Sequence, residues 1–173
     1  MNPEVLQELI RKAKHGNAEA LGMLWDEITP KLFGYLINTL KDKALAEDLL
    51  QATWLKAIEA LPKFESRGAG FSAWLFAIAH NECRQHWRRG KFSAKFDEST
   101  PEPTTDDRPQ LNNNLLVEQA LSKLSEQDRE LLRLRYIADL SLKDVAKILN
   151  INIIAARVRL HRAVNRARET LNS

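Results

Sequence analysis

The residues best suited to chemistry lie near the C-terminal end, where the chain reads LSLKDVAKILNINIIAARVRLHRAVNRARETL. Arg157, Val158, His161 and Arg162 fall on one side of a helical projection, and Ala156, Leu160 and Ala163 fall on the other at spacings of four and seven. An Arg in a major groove can pair with a guanine edge, and a Val can meet a thymine methyl. Covalent catalysis has little to work with. There is no phosphate-cradling glycine loop with a Lys, no His-Glu-x-x-His, no cysteine pair and no convincing carboxylate constellation. His80, His86 and His161 lack ligand-spaced partners, so neither a metal nor another cofactor is expected, nor an enzyme.

Presenting that basic face requires a particular local fold. Ser141 and Asp144 form a capping pair, and Val145, Ile148 and Leu149 form an apolar stripe behind it. The helix must end at Asn150-Ile151-Asn152, because Asn tolerates the left-handed conformation of a tight turn and Asn152 can cap the next helix. The layout is a helix-turn-helix. A solvated basic surface helix would show the same charge run, but not the capped helix and turn before it.

Upstream, apolar residues recur at helical spacing and no strand-period segment stands out, which predicts an all-α chain. Helices are expected over about 3–14, from 18 to about 28, after Pro30 as a broken or restarted segment, and after an Asp42 cap through AEDLLQATWLKAIEAL to Pro62. A further helix carries FSAWLFAIAHNECRQHWRR, with Ser72 near its start. Residues 90–114 then change character, and STPEPTTDDRPQLNNN holds too few apolar side chains to fold alone. It reads as a linker between two helical domains. After it, one helix is expected over 115–124 and another opening at Ser125, with Asp128 returning the capping bond.

The formal charge is only +3, but it is unevenly placed: residues 1–95 hold 14 Lys and Arg against 11 Asp and Glu, residues 96–114 hold 1 against 5, and residues 115–173 hold 11 against 7. An anionic partner must therefore be argued from position, not from the total. The single cysteine, Cys83, excludes a disulfide-stapled fold and fits a reducing compartment. Neither a signal peptide nor a run near the ~20 apolar residues of a spanning helix is present, so a soluble, cytoplasmic chain without membrane insertion is expected.

Two segments, in order along the chain, resemble the extracytoplasmic-function sigma factors, the group IV branch of the sigma-70 family. AEDLLQATWLKAIEAL looks like the segment that grips the polymerase clamp, and GFSAWLFAIAHNECRQHWRR looks like the promoter-melting and minus-ten-reading segment. The C-terminal helix-turn-helix looks like the minus-thirty-five reader. The resemblance implies a region 2-like helical bundle over 1–92, an acidic flexible linker over 93–114 and a region 4-like helix-turn-helix domain over 115–173. It implies a factor that binds core RNA polymerase through the beta and beta-prime subunits and directs initiation at promoter DNA, and it admits an anti-sigma factor as a further partner.

Residue by residue, the resemblance implies that Asp48, Leu49, Gln51, Trp54 and Leu55 face the polymerase. Ser66, Arg67, Gly68, Ala69, Asn81, Arg84, Gln85 and Arg88 would meet minus-ten DNA, with Arg89 nearby and Trp87 or Trp74 available to stack on bases. Arg157, Val158, Arg159, His161 and Arg162 would meet minus-thirty-five DNA. Leu49, Trp54 and Trp74 could equally be core residues of amphipathic helices. The acidic linker would be drawn to a basic channel, in keeping with the family's placement of it inside the polymerase.

The chain departs from the family pattern at Ile154-Ala155-Ala156, where a glycine and a hydroxyl residue usually precede a valine, at Val158 in place of a serine, at Gln85 in place of an aspartate and at Ala52 in place of an acid. No family promoter consensus transfers to it. The rival reading is a dimeric helix-turn-helix regulator, which would bind palindromic sites without polymerase.

Overall fold

The computed structural model describes residues 2–65, 70–94 and 120–171. Among them there is no strand. Helix α1 spans Pro3–Lys14, capped by the Asn2 side chain, which accepts from the Glu4 amide. Helix α2 spans Ala18–Leu40, capped by Asn17 accepting from the Ala20 amide at 2.7 Å. Helix α3 spans Lys43–Ala60 behind an Asp42 cap and runs into a short 3-10 turn, Leu61–Lys63. Helix α4 spans Phe71–Ala94.

Pro30 does not break α2, contrary to the expectation from sequence; the helix is continuous across it. The ring faces solvent, as does Asp26, whose carbonyl loses its donor there. Ile28 and Leu32 are buried on the opposite face, so packing there stabilises the helix across the missing bond. At its end Lys41 adopts a left-handed conformation, φ 57°, and its amide closes on the Ile37 carbonyl.

Beyond the linker, Ala120 and Leu124 are buried. Helix α5, Glu126–Leu132, starts at Ser125, whose hydroxyl accepts from the Asp128 amide, and widens into a π-type turn over Arg133–Ile137. Helix α6 spans Leu142–Ile148, and helix α7 spans Ile153–Leu171. Helix α4 runs to Ala94, through the first two residues expected to belong to the linker; the rest of the linker and most of the helix expected over 115–124 lie outside the described residues.

The two helical domains are docked. The N-terminal helices bury Leu24, Leu32, Tyr35, Leu36, Trp54, Leu75 and Phe76. Leu131, Leu134, Ala138, Leu140 and Val145 join the same apolar core. Helix α6 lies on α4, and the π-type turn lies on α2. The two elements meet at Gly34, where a Cβ would stand 3.5 Å from Ile137 Cγ2, an ordinary van der Waals distance.

Candidate nucleic-acid interface

In the C-terminal domain the helix-turn-helix forms as its sequence dictates. The Ser141 hydroxyl accepts from the Asp144 amide at 3.1 Å and donates to its carboxylate at 2.6 Å. Asn150 takes the left-handed conformation, φ 53°, and the Ile151 amide donates back to the Ala146 carbonyl. Asn152 then caps α7 by accepting from the Ala155 amide at 2.7 Å. Ala156 and Ala163 are fully buried, with Leu160 half-buried beside them, which fixes the rotation of α7. Arg157, Val158, His161 and Arg162 are exposed on its outer side, and Arg159 is half-buried. His161 is within 3.2 Å of the Asn165 amide nitrogen. The departure at Ile154 places an aliphatic side chain, 70% exposed, in the first turn of this face.

Along α4, Asn81, Arg84 and Arg88 are exposed at spacings of three and four, and Gln85 is half-buried. Arg89 is exposed, and Trp87 presents part of its ring to solvent. These groups can donate to phosphates and stack on bases. Trp74 is half-buried and packs against Phe64 and Phe71, with centroids at 4.8 and 5.3 Å, which engages its ring with the core. Ser66, Arg67, Gly68 and Ala69 lie outside the described residues.

Helix α3 carries a third exposed surface. Asp48, Gln51 and Leu55 share one face, and the structure adds Ile58 to it; Leu55 and Ile58 are 60% and 41% exposed. Leu49 is half-buried against the core. Trp54 corrects the expectation for this helix. It is 1% exposed, its ring lies 4.9 Å from that of Trp25, and its indole N–H donates to the Thr29 hydroxyl. An indole so enclosed holds α3 on α2 and offers no surface to a partner.

Sequence reasoning missed the polar seam between the domains. Glu130 of α5 is buried, and its carboxylate accepts from the Tyr35 hydroxyl. His80 Nδ1 lies 2.9 Å from the same oxygen, and Arg133 Nη1 lies 3.3 Å from the other. Burial pushes the Glu130 carboxyl upward, but hydrogen bonds from His80 and Tyr35 and the charges of His80 and Arg133 outweigh it, holding the group below the ordinary carboxylate range. The only signal in the sequence was a carboxylate set in an apolar stripe beside Leu131 and Leu134.

Among the described residues no group of His, Cys, Asp and Glu could hold a metal ion, and no helix is long and apolar enough to cross a membrane.

Comparison with known proteins accounts for both domains. The family model for sigma-70 region 2 matches residues 24–92, and that for sigma-70 region 4 matches residues 114–166. The RNA polymerase sigma factor CarQ of Myxococcus xanthus is 32% identical over 168 residues, covering 94% of this chain and 95% of that protein. The ECF RNA polymerase sigma factor BldN of Streptomyces coelicolor is 30% identical over 167 residues, covering 92% of this chain, which spans 63% of BldN. The sigma factor RpoE of Bartonella quintana, solved in complex with the anti-sigma factor NepR, superposes with a TM-score of 0.77 at 26% identity, over 90% of this chain and 98% of that one. The chain belongs to the sigma-70 family, among the RNA polymerase sigma factors of the extracytoplasmic-function group.

Proposed function

We propose that this protein binds core RNA polymerase, through the beta and beta-prime subunits, and directs initiation at promoters by reading minus-ten and minus-thirty-five elements. The observation that carries the reading is α7: an arginine-rich face held outward by two buried alanines behind a capped helix and a tight turn. The N-terminal domain supplies the other two contacts. The exposed face of Asp48, Gln51 and Leu55 on α3 meets the polymerase, and Asn81, Arg84 and Arg88 on α4, with residues 66–69 before it in sequence, meet melted minus-ten DNA. The chain supplies positioning and DNA recognition, and the polymerase supplies the phosphoryl-transfer chemistry. It acts in the cytoplasm, where its polymerase and DNA partners are. The capture of the similar Bartonella protein by an anti-sigma factor supports the same kind of partner here.

The test is transcription from fragmented source DNA by sigma-free core polymerase with and without the purified chain. Start sites that appear only with the chain and share paired upstream elements are the expected result. Palindromic binding by the chain alone, with no new starts, would return it to the dimeric regulator reading.

A further inference from the structure

Ile154 and Val158 stand one turn apart on α7, 70% and 42% exposed, with Ile153 beside them at 39%. Burial of Ala156 and Ala163 prevents the helix from rotating them inward. Arg157, His161 and Arg162 surround them, so a polyanion is the partner that complements this face. A duplex major groove offers only one apolar group, the thymine C5 methyl. Residues four apart on a helix are displaced by about 6 Å along its axis, close to two base-pair steps of about 3.4 Å.

We propose that Ile154 and Val158 determine upstream specificity by packing against thymine methyls about two base pairs apart. This rests on the reading of α7 as the upstream DNA reader. The test selects upstream sequences with holoenzyme from a randomised pool, then replaces each selected thymine by deoxyuridine, which lacks only the methyl. Wild-type holoenzyme should lose about fourfold in affinity per critical methyl, the equivalent of about 0.8 kcal/mol. Ile154→Ala and Val158→Ala should each bind more weakly and lose nothing further on uridine exchange of the one thymine that the removed side chain meets. A selected preference indifferent to the methyl, or equally sensitive in the alanine variants, would overturn the assignment alone. Absence of any upstream preference would overturn the reading of α7 with it.

Discussion

Tyr35 and Glu130, 95 residues apart, are joined by a hydrogen bond in the buried seam between the domains. The phenol's pKa is pushed well above its ordinary value, first by burial and then by the Glu130 charge, so it remains a donor. Glu130 is correspondingly held ionised by donors on three elements: Tyr35 on α2, His80 on α4 and Arg133 on the π-type turn, which Glu126 also pairs at 2.6 Å.

The first prediction concerns acid. A carboxyl whose pKa is lower folded than unfolded adds stability that is present above the unfolded value and lost as pH falls through the folded one. Wild-type stability should therefore decline below the ordinary 4.5, with Glu130 contributing to the slope. Urea midpoints of Glu130→Gln should start lower at neutral pH and fall less steeply in acid. Tyr35→Phe should cost about 1–3 kcal/mol, because a buried charged acceptor loses a donor. Parallel pH slopes in wild type and Glu130→Gln would show that this carboxylate does not contribute.

Trp54 and Leu55 are adjacent in sequence and opposite in consequence. Trp54→Ala should destabilise the chain by about 3–5 kcal/mol through the cavity it leaves. Leu55→Ala should change stability by no more than about 0.5 kcal/mol and should weaken association with core polymerase. Thermal melts paired with a polymerase-binding titration separate the two. A Leu55→Ala chain that binds polymerase as wild type does would return that residue to ordinary surface.

This pair also marks how far the sequence could be read. Helix boundaries and caps were legible at Asp42, Ser125, Ser141 and Asn152, because capping is local chemistry encoded within three residues. The outward side of α7 was legible because its alanines mark the inward one. The orientation of Trp54 was not, since an indole on an amphipathic helix has the same pattern whether it meets the core or a partner. Continuity of α2 through Pro30 was hidden for a related reason, because the packing that stabilises it comes from other helices. The seam escaped altogether: Tyr35, His80 and Glu130 are brought together only by tertiary docking, which no periodicity encodes.

Asn152 sets the start of α7. Asn152→Ala removes the acceptor for the Ala155 amide and should cost about 1 kcal/mol, and Asn152→Asp should retain most of it. Both values are read from denaturant unfolding. Equal loss in the two variants would mean that the cap bond is not what the residue contributes.

Arg157 and Arg162 should each be worth about 1–3 kcal/mol of upstream discrimination if paired with a base edge. A phosphate contact has a different signature: weaker binding on all sequences alike and a shallower salt dependence. Holoenzyme affinities for matched and altered upstream duplexes, measured for Arg157→Ala and Arg162→Ala across a salt series, distinguish the two. No change in either quantity would leave these arginines as solvated charge.

Cys83 provides a probe of the docked state that needs no new label site. It is fully buried on α4, and its thiol is pushed up to about 12, by burial first and then by the charge of Glu130. The thiolate is the reactive form, so native chain at about pH 8, close to the free cysteine value of about 8.5, should alkylate far more slowly than unfolded chain. Because Glu130 belongs to the other domain, separating the domains removes one of the causes of that shift. Gly34→Lys, which adds a long side chain at the contact with Ile137 between the domains, should therefore alkylate faster than wild type while remaining slower than unfolded chain. Identical rates for wild type and Gly34→Lys, with the variant expanded by scattering, would show that burial within the N-terminal helices alone protects the thiol.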